Sequence, residues 1–250
     1  MEYEYRTSTV DDPRAIRAVA HRGAKALAPE NSILAFTTAA ELGVAAIETD
    51  VRLSADGLPA IIHDPTLART HGHKAHVAGA TMAELQSLGV PSLSTMLDIF
   101  AADFDVIIDL KEKSTRLAES VGRAVAVSGR AARCFVTGSD LNLLRRAQAL
   151  AEGLRLSWTI GARHETLTPA AVVEASVVGV SELAVQASEV SAELVAQAGS
   201  LGIDVRAYGI RSPLGAQELV ALGCRTLTLD DPRWVMMPRQ LALPLVSAAT

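Results

Sequence analysis

The hydrophobic pattern alternates between short apolar runs and longer amphipathic stretches. Ala18-Val19-Ala20 leads into His21-Arg22-Gly23, which predicts a first strand with polar residues at its C-terminal end. A helical pattern then opens at Pro29-Glu30-Asn31-Ser32 and runs through Leu42, with Asn31 or Ser32 as N-cap and Gly43 as the stop. A second strand is expected over about 45–53. Asp56-Gly57 signals a hairpin turn, with a return strand over 59–63. Thr81-Met82-Ala83-Glu84 fits a capping box, and a further helix is expected over 94–101. From there the rhythm is regular, with strands over 105–110, 133–137, 154–159, 177–181, 203–208 and 225–229. Helices fall between them at about 115–128, 140–151, 169–175, 191–201 and 213–222. Thr168-Pro169 and Ser212-Pro213 place a hydroxyl cap before a proline at the first helical position. Gly129, Gly153, Gly202 and Gly223 each stand between a helix and the next strand.

Outside the hairpin the strands number eight, each but the last followed by helical sequence. This predicts an α/β fold, a (β/α)8 TIM barrel with a short hairpin insertion after its second strand. An open doubly wound sheet is the alternative, but the glycine-rich dinucleotide fingerprint is absent after the first strand. With 250 residues and no break in composition, a single domain over 1–250 is expected. Hydrophobic residues make up 49%, ample for a large core. The net charge of −5 argues against a nucleic-acid partner held by bulk electrostatics and requires local positive charge for any anionic substrate. Cys134 and Cys224, far apart in sequence, read as buried thiols of a reducing compartment. The polar start, Met1-Glu2-Tyr3-Glu4-Tyr5-Arg6, carries no apolar signal region, residues 1–17 read as irregular or a short helix, and no apolar run is long enough to span a bilayer. A cytoplasmic protein is expected.

The chemistry gathers at predicted strand ends. Glu48 and Asp50, two apart on a strand, share a face, and like charges so placed need a cation. Oxygen ligands suit a hard ion such as Mg²⁺ or Ca²⁺. The plainer reading pairs one carboxylate with Arg52 or a distant lysine and solvates the other. His21 and Arg22 end the first strand, His63 and Asp64 the hairpin, and Asp109 and Lys111 the next strand. A barrel builds its active site at this end. The carboxylates can hold a metal, Arg22 and Lys111 a phosphate, and the histidines can move protons near neutral pH. His71, His73 and His76 read as solvated loop residues, Trp158 and Trp234 as packing, and Asp230 and Asp231 as capping or loop charges, with lining the site as the alternative.

His21-Arg22-Gly23, Pro29-Glu30-Asn31-Ser32, Glu48-Thr49-Asp50-Val51, Asp56-Gly57, His63-Asp64 and Asp109-Leu110-Lys111 resemble, in order and spacing, the glycerophosphodiester phosphodiesterases. The close motifs cover about the first 110 residues; beyond them the resemblance lies in the barrel rhythm and the ending Leu229-Asp230-Asp231-Pro232. It implies metal-dependent hydrolysis of a glycerophosphodiester, a small-molecule substrate, to glycerol 3-phosphate and an alcohol. Glu48, Asp50 and Asp109 would ligate one divalent cation, Ca²⁺ or Mg²⁺. His21 and His63 would be the acid–base pair, Arg22 and Lys111 would bind phosphate oxygens, and Glu30 would support the site. The family's usual third ligand is Glu in a Glu-x-Lys pattern, here replaced by Asp109; Glu112 is expected on the opposite face from Lys111. Where the family has Trp-Thr-Val-Asn this chain has Tyr208-Gly209-Ile210-Arg211, with Tyr208 expected to stack on the glycerol and Arg211 free to meet an extra anion. Two rival readings stand beside this one: lysophospholipase D-type activity on lysophospholipids, and a barrel that binds phosphate compounds without turning them over.

Overall fold

The computed structural model describes residues 15–161 and 167–236; the reading of residues 1–14 lies outside them. Eight parallel strands close into a barrel: β1 (Arg17–Ala20), β2 (Ala46–Leu53), β4 (Asp105–Leu110), β5 (Cys134–Gly138), β6 (Arg155–Ile160), β7 (Val180–Gln186), β8 (Asp204–Tyr208) and β9 (Thr226–Leu229). The short strand β3 (Pro59–Ile61) pairs antiparallel with the end of β2, outside the ring, as the Asp56-Gly57 turn predicts. Closure comes from β1, which pairs with β2 on one side and β9 on the other. The helices are α1 (Ile33–Glu41), α2 (Ala68–His71), α3 (Met82–Ser87), α4 (Leu93–Phe100), α5 (Thr115–Ser128), α6 (Leu141–Gln148), α7 (Pro169–Val177), α8 (Ala192–Ser200), α9 (Pro213–Ala221) and α10 (Arg233–Met236). Ser32 rather than Asn31 caps α1, and the Thr81–Glu84 capping box at α3 is complete.

One strand lies later than the sequence pattern predicts. The expected strand over 177–181 is instead the end of α7, a turn at Gly179 with φ +79°, and the start of β7 at Val180. The β-branched pair Val177-Val178 reads as strand, but Gly179 takes the left-handed conformation that stops the helix.

Alternate strand residues serve two cores. Ala18, Ala20, Ile47, Ile108 and Val136 pack outward with the helices, Phe36 meeting Phe100 edge-on at 5.9 Å among them. Inside the ring the apolar cluster is small: Val19, Ala46, Ile107 and Phe135. Much of the rest of the interior is polar, including buried Glu48, Asp50, Thr137, Ser157, Glu182, Arg206 and Thr228. At the N-terminal ends of the strands, Asp105 accepts Nη2 of Arg17 at 2.9 Å and lies 3.1 Å from Arg155 and 3.2 Å from Arg133. Arg155 also stacks 3.8 Å above the Phe135 ring. Both cysteines are buried and free, and burial pushes the Cys134 thiol up to about 12.

Candidate active site

The backbone after β1 explains the His-Arg-Gly sequence. Arg22 has φ +53°, a left-handed conformation that costs a non-glycine residue about 1 kcal/mol. It turns the Arg22 amide to donate to Glu48 Oε2 at 2.8 Å. Gly23 has φ +78°, and a Cβ there would lie 2.7 Å from the Ala35 backbone in α1, so no side chain fits. Asn31, also left-handed at φ +56°, donates from Nδ2 to Asp50 Oδ2 at 2.8 Å and accepts from the Thr49 hydroxyl at 3.1 Å. Asn31 thus fixes the rotamer of Asp50.

Glu48, Asp50 and Asp109 offer carboxylate oxygens that all lie within 4.8 Å of one another. Asp50 and Asp109 stand opposite each other in the β2–β4 register. Among the described residues this is the one such group of carboxylate, imidazole or thiol side chains. The Asp for Glu replacement therefore leaves a three-carboxylate set at the strand ends. Asp50 Oδ1 is buried without an aligned hydrogen bond, although the Lys111 ammonium lies 2.9 Å away. A buried, under-satisfied carboxylate oxygen in an all-oxygen donor set fits a hard divalent cation. Lys111 Nζ is also 2.7 Å from Asp109, and Arg22 Nε is 3.0 Å from Asp50. The two cations expected to meet phosphate are thus engaged with the acidic group.

Burial raises the pKa of Glu48, and the Asp50 charge raises it further. Burial acts in the same direction on Asp50, but Lys111 and Arg22 outweigh it and hold that carboxyl low. Burial opposes the Lys111 charge, yet Asp109, Asp50 and Glu48 keep its pKa above the ordinary lysine value.

Each histidine has a carboxylate behind it. His21 Nδ1 lies 2.7 Å from Asp230 Oδ1, and His63 Nδ1 lies 2.7 Å from Asp64 Oδ1. Nδ1 of each ring is thus tied to a carboxylate, and the other ring nitrogen is Nε2. A chain of ion pairs joins the second imidazole to the acidic group. Arg69 donates to Asp64 at 2.6 Å and to Glu30 at 2.6 and 2.9 Å, Glu30 accepts Arg22 at 3.0 Å, and Arg22 reaches Asp50. His21 immediately precedes Arg22, whose amide donates to Glu48. Both imidazoles thus belong to the mouth that holds the carboxylates.

A sequence profile described as the glycerophosphoryl diester phosphodiesterase family matches residues 21–233. The chain belongs to this family. A glycerophosphodiester phosphodiesterase of Caldanaerobacter subterraneus subsp. tengcongensis is 34% identical over 109 residues, which is 38% of this chain and 44% of that protein. The matched segment thus spans less than half the length of that curated relative. The fold is shared with the glycerophosphodiester phosphodiesterase of Thermotoga maritima (TM-score 0.76, 23% identity, 87% of this chain and 95% of that one). It is shared too with an Oleispira antarctica phosphodiesterase solved with its product sn-glycerol-3-phosphate (TM-score 0.75, 22% identity, 88% and 94%).

Several residues of this glycerophosphoryl diester phosphodiesterase family member escape sequence reasoning. Asp230 reads as a loop charge, yet it pairs with His21 and with Lys25 at 3.1 Å. Burial works to raise the Asp230 carboxyl, but the His21 hydrogen bond and the His21 and Lys25 charges prevail and hold it low. The available signal was its place just past the last barrel strand. Arg69 carries no such signal, and Asn31, although within the Pro29-Glu30-Asn31-Ser32 motif, reads only as a cap candidate rather than as the partner of Asp50. Asp231 is a local partner of Arg233, at 2.6 and 2.8 Å. Glu112 is not part of the three-carboxylate group and lies 3.5 Å from Arg52, whose Nε donates to the His63 carbonyl. Tyr208 is half-buried at the end of β8, and Arg211 is exposed beyond it. His73 and His76 are exposed, and Trp158 is buried against the helices. Among the described residues no helix is long and apolar enough to cross a membrane.

Proposed function

We propose that the chain, as one barrel domain, hydrolyses glycerophosphodiesters to glycerol 3-phosphate and an alcohol. The observation that carries this is the meeting, at one barrel mouth, of three carboxylates with two carboxylate-backed imidazoles. The product found with the Oleispira antarctica relative supports the same substrate class. Glu48, Asp50 and Asp109 would hold one divalent cation, Ca²⁺ or Mg²⁺. Such a cation supplies neutralisation of phosphoryl oxygen charge and acidification of a hydroxyl or water.

The protein's own groups do the rest. Arg22 and Lys111, now turned to Asp50 and Asp109, stand within reach of phosphate oxygens that would displace those contacts. One imidazole takes, at Nε2, the proton of an attacking water, or of the glycerol 2-hydroxyl in a route through a cyclic phosphate that a water then opens to glycerol 3-phosphate. The other gives its proton to the alcohol oxygen as the P–O bond to the leaving group breaks. The Asp230 and Asp64 carboxylates fix both rings for these transfers. Glu30 holds Arg22 in place, and Tyr208, half-buried at the end of β8, would pack against the glycerol.

The test is release of glycerol 3-phosphate from glycerophosphocholine and related diesters. EDTA should abolish it, and Ca²⁺ or Mg²⁺ should restore it. Full turnover after metal stripping would remove the cation from the mechanism. Preference for lysophospholipids over deacylated diesters would give the lysophospholipase D reading. Tight calorimetric binding of diester with no turnover in saturating metal would leave a binding barrel.

A further inference from the structure

The barrel interior holds a second charged pair that the chemistry above does not use. Arg206 on β8 is 4% exposed and Glu182 on β7 is 1% exposed. Nε of Arg206 donates to Glu182 Oε1 at 2.7 Å and Nη1 to the Thr228 hydroxyl at 3.0 Å. Nη2 reaches the Ser157 hydroxyl at 3.2 Å and the Thr137 hydroxyl at 3.3 Å. The guanidinium is therefore pinned by side chains of β5, β6, β7 and β9. Thr137, one of its acceptors, stands opposite Asp109 in the β4–β5 register.

A buried ion pair gains little stability over apolar side chains of the same volume, so stability alone does not account for a guanidinium here. The electrostatics give it another task. Glu48, Asp50 and Asp109 concentrate negative charge at the mouth, and the fields of Glu48 and Asp109 act on Arg206 through the barrel interior. Low polarizability there makes such fields stronger than at the surface.

We propose that Arg206 is a counter-charge to the acidic group, a positioning residue that sets how tightly Glu48, Asp50 and Asp109 hold a divalent cation. Glu182 attenuates that charge and fixes its place. The inference rests on the reading of the three carboxylates as a cation site, and it makes an unusual demand on two neighbouring residues. Neutralising Glu182 exposes the full Arg206 charge to the carboxylates and weakens cation binding. Neutralising Arg206 strengthens it.

The experiment is calorimetric titration of Ca²⁺ and of Mg²⁺ into the full-length chain, with thermal melts to confirm folding. Glu182→Gln keeps shape and an acceptor oxygen; it should raise Kd about tenfold, and Arg206→Met should lower it by a similar factor. Arg206→Lys keeps the charge and should stay within about threefold of wild type. A purely structural pair would instead shift both neutralised variants in the same direction, or neither, and that result overturns the inference. If Arg206→Met fails to fold, Glu182→Gln decides: an unchanged Kd in the folded variant rejects the proposal. Wild-type protein that binds neither ion would end the cation reading itself, a different failure from wild-type binding that ignores Glu182.

Discussion

Asp230 Oδ1 lies 2.7 Å from His21 Nδ1, so the residue after the last strand orients the imidazole that follows the first. Asp230→Asn keeps the shape and removes the carboxylate that orients the ring and favours one tautomer. We expect kcat to fall at least about tenfold with little change in KM. Asp231→Asn, which touches Arg233 instead, should leave kcat unchanged. Steady-state assays of both variants check the contrast.

His21→Ala and His63→Ala should each lower kcat by at least about 10² with little loss of folding. Both rings are half-buried at the mouth, so their removal opens no cavity deep in the core. Wild-type rates in either variant would remove the acid–base assignment.

Gly23→Ala should destabilise the fold by about 2 kcal/mol or more, because the added Cβ meets the Ala35 backbone at 2.7 Å in a left-handed conformation. Thermal melts give the stability. A reduced kcat in the surviving folded fraction is also expected, since Arg22 next door holds Glu48.

Arg69 links acid stability to the mouth. Its hydrogen bonds hold the Glu30 carboxyl low, and with His63 they hold Asp64 well below the ordinary carboxylate range. Depressed carboxyls stabilise the fold fully above their unfolded values, about pH 4 to 4.5, and lose that contribution as pH falls through the lower folded values. Arg69 is half-exposed, so the effect is about 1 kcal/mol. Arg69→Gln should melt below wild type at pH 7, with the gap closing as pH drops below about 4. A constant gap from pH 7 to pH 3 would contradict this.

At the opposite end of the barrel, Asp105→Asn removes the carboxylate that Arg17, Arg133 and Arg155 share. Stability should fall by about 2 kcal/mol while kcat per folded molecule stays the same. Denaturant melts together with active-fraction assays test both halves.

The barrel was legible because its punctuation is local. Thr168-Pro169 and Ser212-Pro213 announce α7 and α9, and both hydroxyls do cap their helices. Val177-Val178 misleads because β-branched residues at a helix end look like strand, and the very next residue, Gly179, settles the boundary. Site residues that sit in tight motifs, such as Glu48-Thr49-Asp50, were readable from strand alternation. Asp230 was not, because its partner is 209 positions away and only ring closure joins them. Arg206 and Glu182 look like ordinary surface charges until the strand register turns both inward.

The seam between β1 and β9 bears on how the protein is made. A growing polypeptide makes β1 well before β9, so the carboxylate that steadies His21 follows that imidazole by 209 positions. Until β9 docks, a nascent chain can bring the acidic side chains of β2 and β4 together without the Asp230-backed imidazole beside them. The His21–Asp230 pair on which the proposed proton transfer depends therefore forms only when the ring is whole.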